Sequence, residues 1–183
     1  MAGCAAPETT TAEAPPPATA PESPSPSSDE PAPDPPVEVA DPATVSIPAI
    51  DVHATLVDLG LEDDGAMEVP DFGLAGWYIE GPRPGEDGPA VVAAHVDSKE
   101  GPDVFYRLGE LEPGDEVTVT DLEGAEHTFT VERTEQHDKN ELPVDDIWSA
   151  TDSPTLRLIT CGGEFDRSIG HYDDNIIVWA TAA

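Results

Sequence analysis

Seven short segments of this chain are rich in apolar and β-branched residues, at 44–50, 54–59, 90–94, 116–120, 127–133, 155–160 and 175–180. Side chains on a strand point alternately to its two faces, so runs of this length and pattern read as strands with one face against a core. Between them stand the turn formers Asp64-Gly65, Pro84-Gly85, Pro113-Gly114 and Glu123-Gly124. Short strands punctuated in this way can hide their apolar faces and their edges by closing on one another, which predicts a mostly β fold: a closed, mainly antiparallel barrel. Helix is expected only as short turns, over 104–108 and 144–149, and no internal repeat is present.

The strands begin only after a different kind of segment. Twelve of the 21 prolines precede Ala43, and residues 5–42 are almost entirely Ala, Pro, Thr, Ser, Glu and Asp. Such a composition cannot bury enough apolar surface to offset the entropy of ordering, so residues 1–42 are expected to form a disordered acidic stalk and residues 43–183 one domain. Fully extended at about 3.1 Å per residue, the stalk would reach about 120 Å. At its start, Met1-Ala2-Gly3-Cys4 resembles the end of a bacterial lipobox, with Cys4 the residue that would be acylated, although no charged and apolar signal region precedes it. A stalk behind a lipid anchor suits a domain held at an extracytoplasmic surface. No run approaches the roughly 18 apolar residues of a transmembrane helix.

The 141 residues from Ala43 suffice for one core. They carry 31 acids against seven bases, a formal charge of −24, which argues against nucleic acid as a partner. A solvated acidic surface explains the charge, and attraction of basic partners is the alternative. Of the two cysteines, Cys4 is assigned to lipid, which leaves Cys161 unpaired; a Cys4–Cys161 disulfide would tie the terminus to the core across more than 150 residues. Two cysteines supply no zinc-binding pair at C-x-x-C spacing, and no metal or cofactor is expected.

Cys161 closes the β-rich run Leu156-Arg157-Leu158-Ile159-Thr160 and precedes Gly162-Gly163, where the chain is expected to turn into a loop. A thiol at a strand end can be aimed into a groove. Among five histidines, His95 ends the apolar run Ala90-Val91-Val92-Ala93-Ala94 and so occupies the same strand-to-loop position. His171 is its rival, ten residues past Cys161, while His53, His127 and His137 lie among polar residues and read as exposed.

Thr160-Cys161-Gly162-Gly163-Glu164-Phe165-Asp166, followed by His171-Tyr172-Asp173-Asp174-Asn175, resembles the active-site segment of actinobacterial class F sortases. Ile47-Pro48-Ala49-Ile50, Asp64-Gly65-Ala66-Met67-Glu68-Val69-Pro70, Gly76-Trp77-Tyr78, Ala94-His95-Val96-Asp97-Ser98 and Gly101-Pro102-Asp103-Val104-Phe105-Tyr106-Arg107-Leu108 resemble further blocks of that family, in order. The resemblance implies a sortase-like barrel and a cysteine transpeptidase. Its substrate would be a Leu-Pro-X-Thr-Gly-like sorting signal, cleaved between Thr and Gly, and its second partner an amine of the cell envelope. It further implies a monomer on the surface of an actinobacterium-like Gram-positive cell. Cys161 would be the nucleophile and His95 the general acid, then base.

Sortases also use an arginine for the substrate and the developing oxyanion, usually near the start of the strand after the cysteine loop. Here that neighbourhood, Asp173-Asp174-Asn175, has none, and Arg167 is the expected substitute. Arg157 precedes Cys161 by four residues, which at about 3.3 Å each holds its backbone roughly 13 Å away. Thr160 is expected to face substrate or backbone. Two other readings use the same residues: a cysteine peptidase that mainly hydrolyses, and a non-catalytic surface binding module in which Cys161 is merely buried.

Overall fold

The computed structural model describes residues 39–168 and 170–183. The proposed lipidation at Cys4 and nearly all of the stalk over 1–42 therefore lie outside the described residues. The chain runs through β1 (Pro42–Ile47), a 3-10 turn (Pro48–Ile50), β2 (Val52–Leu59), β3 (Ala75–Tyr78), β4 (Gly88–Ala94), β5 (Asp97–Ser98) and β6 (Gly101–Pro102). A second 3-10 turn (Leu108–Glu110) leads to β7 (Glu116–Asp121), β8 (Glu126–Asp138), α1 (Val144–Trp148), β9 (Pro154–Asp166) and β10 (His171–Ala182).

Eight of these strands close into a barrel in the order β1-β2-β3-β4-β9-β10-β8-β7, with β5 and β6 as a separate ribbon. The alternation seen in the sequence sets which side chains go inside: Val45 and Ile47 from β1, Val92 from β4, Val117 and Val119 from β7, Phe129 from β8, and Leu156 and Leu158 from β9. Withdrawing each large side chain of this kind from water contributes about 1.5–3 kcal/mol, the main force holding the barrel closed. Phe105, from the turn after β6, plugs the same core.

Most neighbours are antiparallel, but β2 pairs with β3 and β4 with β9 in parallel. The β4–β9 register, from Gly88↔Pro154 to Ala93↔Ile159, determines what stands beside the end of β4. Outside the barrel, Val91, Ile177 and Trp179 form a second apolar cluster with Ile147 of α1 as its cover. Two adjacent strands, β4 and β9, thus have apolar residues on both faces over their lower halves. No helix among the described residues is long and apolar enough to cross a membrane.

Three elements depart from the sequence reading. β3 is only four residues long and contains Gly76, where a Cβ would come within 2.4 Å of the Leu59 side chain, so it has neither the length nor the alternation that marks a strand. β8 extends to Asp138 because its second half projects past the core, where polar side chains satisfy both faces. The chain also does not turn into a loop at Gly162-Gly163. β9 continues to Asp166 and folds back as a hairpin with β10, whose register shifts between Tyr172 and Asp174. Gly163 sits in that bulge at φ +79°, a conformation glycine adopts without the steric cost of a Cβ.

Candidate active site

The parallel register of β4 and β9 sets the end of β4 beside the middle of β9, where His95 and Cys161 stand. Val91 on β4 faces the outer cluster while Ala90, Val92 and Ala94 face the core, so His95, one residue further on, continues the outward series. On β9, Leu156 and Leu158 point inward and Ile159 packs on the outer cluster, which puts Cys161 outward as well. Carrying the register two residues past Ala93↔Ile159 sets His95 level with Cys161, on strands about 4.8 Å apart. Between them Thr160, buried and facing inward, donates its hydroxyl to the Ala94 carbonyl at 2.8 Å. Thr160 thereby clamps the end of β4 to β9, and its partner is backbone.

His95 is held in a defined state. Its Nε2 lies 2.9 Å from the Pro70 carbonyl, which can only accept, so Nε2 carries the hydrogen and Nδ1 is left to exchange a proton. The ring rests against Phe72 with centroids 4.4 Å apart. From the other side, Phe105 N–H donates to the His95 carbonyl at 3.0 Å. Among the described residues no hydrogen bond joins His95 to the sulfur.

Cys161 is half-buried and carries a free thiol. Its sulfur has a cationic neighbour that sequence reasoning did not find: Lys139 Nζ stands 3.6 Å from Sγ. Asn175, opposite Cys161 across β9 and β10, donates to the Thr160 carbonyl at 3.1 Å and fixes the backbone beside the thiol. Nearby, the Tyr172 hydroxyl donates to Asp97 at 2.5 Å, and this bond, with burial and the Asp97 charge behind it, pushes the phenol up to about 12. Tyr172, Phe72, Phe165 and Lys99 line an open cleft of ≈ 500 Å³ between the β5–β6 ribbon and the β9–β10 hairpin. Phe72 thus touches both the His95 ring and this cleft, a place where an extended apolar peptide can lie.

The arginines are elsewhere. Arg167 is exposed in the turn between β9 and β10. Because β9 runs on past Cys161, it stands at the end of roughly 20 Å of extended strand, and the structure does not bring it to the sulfur. Arg157 shares the outward face of β9 but is buried, its Nη1 donating to the Leu156 carbonyl at 3.1 Å; burial first, and then Arg133, disfavour its charge. His171 is exposed and pairs with Asp166 at the far end of the hairpin. His127 and His137, read as simply exposed, are half-buried instead, each with a carboxylate at 3.2 Å, from Asp121 and Glu135 respectively. His53 is exposed as expected.

Lys139 was overlooked because it stands in a polar stretch far from Cys161 in sequence, at the end of β8. Its rarity was the available signal, since the whole chain has seven Lys and Arg residues against 39 acids. Among the described residues no cluster of His, Cys, Asp and Glu is arranged to hold a metal ion.

The Sortase domain family matches residues 45–183, from the first core residue of β1 to the last residue of the chain. This chain belongs to the sortase family. Sortases are cysteine transpeptidases, and the outward thiol of Cys161 is the group such chemistry needs. Among solved structures the sortase is similar to sortase C1 from Streptococcus agalactiae, with 20% identity and a TM-score of 0.61 over 77% of this chain and 66% of that one. It is similar also to a lid mutant of sortase A from Corynebacterium diphtheriae, with 19% identity and a TM-score of 0.59 over 80% and 72% of the two chains. Sortase A from Listeria monocytogenes gives 20% and 0.59 over 77% and 86%. At these identities the likeness establishes the shared barrel. The chain spans just under two thirds of the streptococcal sortase C1. No curated protein sequence matches it significantly.

Proposed function

We propose that this sortase is of the class F type and acts on a Leu-Pro-X-Thr-Gly-like sorting signal, with Cys161 as nucleophile and His95 as proton carrier. The observation that carries the reading is the common level of His95 and Cys161 on the outer faces of the paired strands β4 and β9, beside an aromatic-lined cleft.

In this reading the Cys161 thiolate attacks the threonine carbonyl carbon, and the carbonyl π electrons move onto oxygen. When the tetrahedral intermediate collapses, the C–N bond to glycine breaks and His95 gives its Nδ1 proton to the departing amine. A thioacyl enzyme remains at Cys161. A cell-envelope amine then attacks the thioester, loses a proton to His95 and releases the sulfur as thiolate. The Nε2 bond to Pro70 keeps the ring in one orientation through both transfers. The protein works as a monomer outside the cytoplasm of an actinobacterium-like Gram-positive cell, held to the membrane by lipid on Cys4 and spaced from it by the proline-rich stalk. Arg167, exposed at the hairpin tip, takes no part at the reacting atoms in this reading.

Incubation of the purified protein with a sorting peptide and an added amine, followed by mass analysis, tests the reading. The expected product is the amide of the peptide's threonine with the added amine, absent with Cys161→Ala. Free acid alone identifies a hydrolysing peptidase, and absence of both products, with slow thiol alkylation, identifies a binding module.

A further inference from the structure

The start of β10, next to the nucleophile, reads Tyr172-Asp173-Asp174-Asn175 and offers carboxylates where the transferred acyl group demands a cation. Arg157 and Arg167 do not reach the sulfur. Lys139 does, and the way it is held makes the contact more than incidental. Its backbone N–H donates to the Asp173 carbonyl at 3.0 Å, so it is docked against the cation-poor start of β10. The following turn is pinned by Asp138, whose carboxylate accepts from Asn140 N–H at 2.7 Å and whose carbonyl accepts from Glu141 N–H at 2.9 Å. The nearby carboxylate of Asp174 is engaged by Gln136 Nε2 at 2.5 Å.

Arg83, Arg107 and Arg133 each have a carboxylate within 4 Å, as cations in so acidic a domain should. Lys139, like Lys99 and Arg157, has no carboxylate within ion-pair distance among the described residues, but it alone of these meets the sulfur, its ammonium standing 3.6 Å from Sγ. In a domain of formal charge −24, leaving one ammonium unpaired beside a nucleophile forgoes easily available ion pairs.

We propose that Lys139 is a catalytic residue of this sortase, supplying from the end of β8 the positive charge at Cys161. It first favours thiolate over thiol by direct Coulombic attraction. As the S–C bond forms, the negative charge passes from sulfur to the former carbonyl oxygen, and the ammonium, with three donors on a flexible stem, follows it. No proton leaves Nζ; the proton for the departing amine comes from His95. The inference rests on the transpeptidase reading for its second step but not for its first.

Two alkylating reagents separate these steps from each other and from folding. Iodoacetate is anionic and iodoacetamide neutral, so the ratio of their rates on Cys161 reports local charge whatever the thiolate fraction. Lys139→Met should lower that ratio about threefold to tenfold, because a cation a few ångströms from the sulfur is removed. Lys139→Arg should keep the ratio, and circular dichroism should show both variants folded. Lys139→Met should also lose about 10²–10³-fold in transpeptidation kcat, with Lys139→Arg recovering most of it. A ratio unchanged in folded Lys139→Met overturns the proposal, as does a ratio that Lys139→Arg fails to restore. If the wild type makes no amide product while the ratio falls as expected, the transpeptidase reading fails and the charge pairing of Lys139 with Cys161 stands.

Discussion

His95 Nε2 donates to a backbone carbonyl, and that single bond leaves Nδ1 as the nitrogen able to exchange a proton. A histidine anchored through Nε2 presents Nδ1 alone. His95→Ala is accordingly expected to lose about 10²–10⁴-fold in kcat, the usual worth of positioned acid–base catalysis. His171→Ala should stay within a few fold of wild type, since His171 is exposed at the far end of the hairpin. Steady-state turnover of a sorting peptide by the two variants checks both; the reverse ranking would assign proton transfer to His171. Cys161 and His95 draw notice in the sequence because each closes an apolar run; in the structure His95 does follow the end of β4, whereas Cys161 stands inside β9, paired with Asn175. Lys139 was not legible, because what brings it to the sulfur is the pairing of β8 with β10, a contact between residues 139 and 173 that no local pattern announces.

At the scale of elements, the apolar alternation marked seven strands well where one face is buried and poorly where strands project into solvent. β8, β9 and β10 were cut short in the sequence reading for that reason: their outer halves owe their form to ladder hydrogen bonds with one another rather than to burial. The β9–β10 hairpin was missed as a hairpin because Gly162-Gly163 reads as a turn, whereas Gly163 forms a bulge inside a continuing ladder. A Cβ on Gly163 would come within 2.6 Å of Asp174 Oδ2 at a φ of +79°. Gly163→Ala is therefore expected to cost about 1–2 kcal/mol in stability, measured by urea unfolding, and to disturb the strand that carries Cys161. The β7–β8 turn offers a pH-dependent test. Burial opposes ionisation of Asp121, yet the N–H groups of Ala125 and Glu123 and the ring of His127 outweigh it and hold the carboxyl below its ordinary 3.8. A carboxylate depressed on folding stabilises the fold above its unfolded value and loses that contribution as pH falls through the folded one. Asp121→Asn should thus melt lower than wild type at pH 7, and the gap in Tm should close as the pH drops below 3.8.

For the whole molecule, the question is where the folded domain begins. Composition sets the stalk's end at residue 42, but the barrel's own bonds start slightly earlier. Pro42 already pairs with Asp121 in β1–β7, and Leu122 N–H donates to the Asp41 carbonyl at 2.9 Å. Asp41 also accepts from Arg83 Nε at 2.7 Å, which ties the start of β1 to the segment before β4. That hydrogen bond holds down Arg83's proton, with the Asp41 charge and Glu86 adding to it and partial burial opposing. The two ends of this pair are substantially exposed, so its own worth is small; the backbone bonds and strand pairing around it carry more. Deleting residues 5–38 removes Pro-, Ala- and acid-rich chain with little apolar side chain, and is expected to leave Tm and the turnover of soluble peptide unchanged. Extending the deletion to residue 42 removes the closing pair of β1 with β7 and the Asp41 partner of Arg83, and should lower Tm by about 2–4 °C for each kcal/mol lost. Differential scanning calorimetry of the two truncations decides the boundary: equal melting would mean that the barrel closes without Asp41 and Pro42, while a drop already in the shorter truncation would mean that the proline-rich segment contributes to the fold.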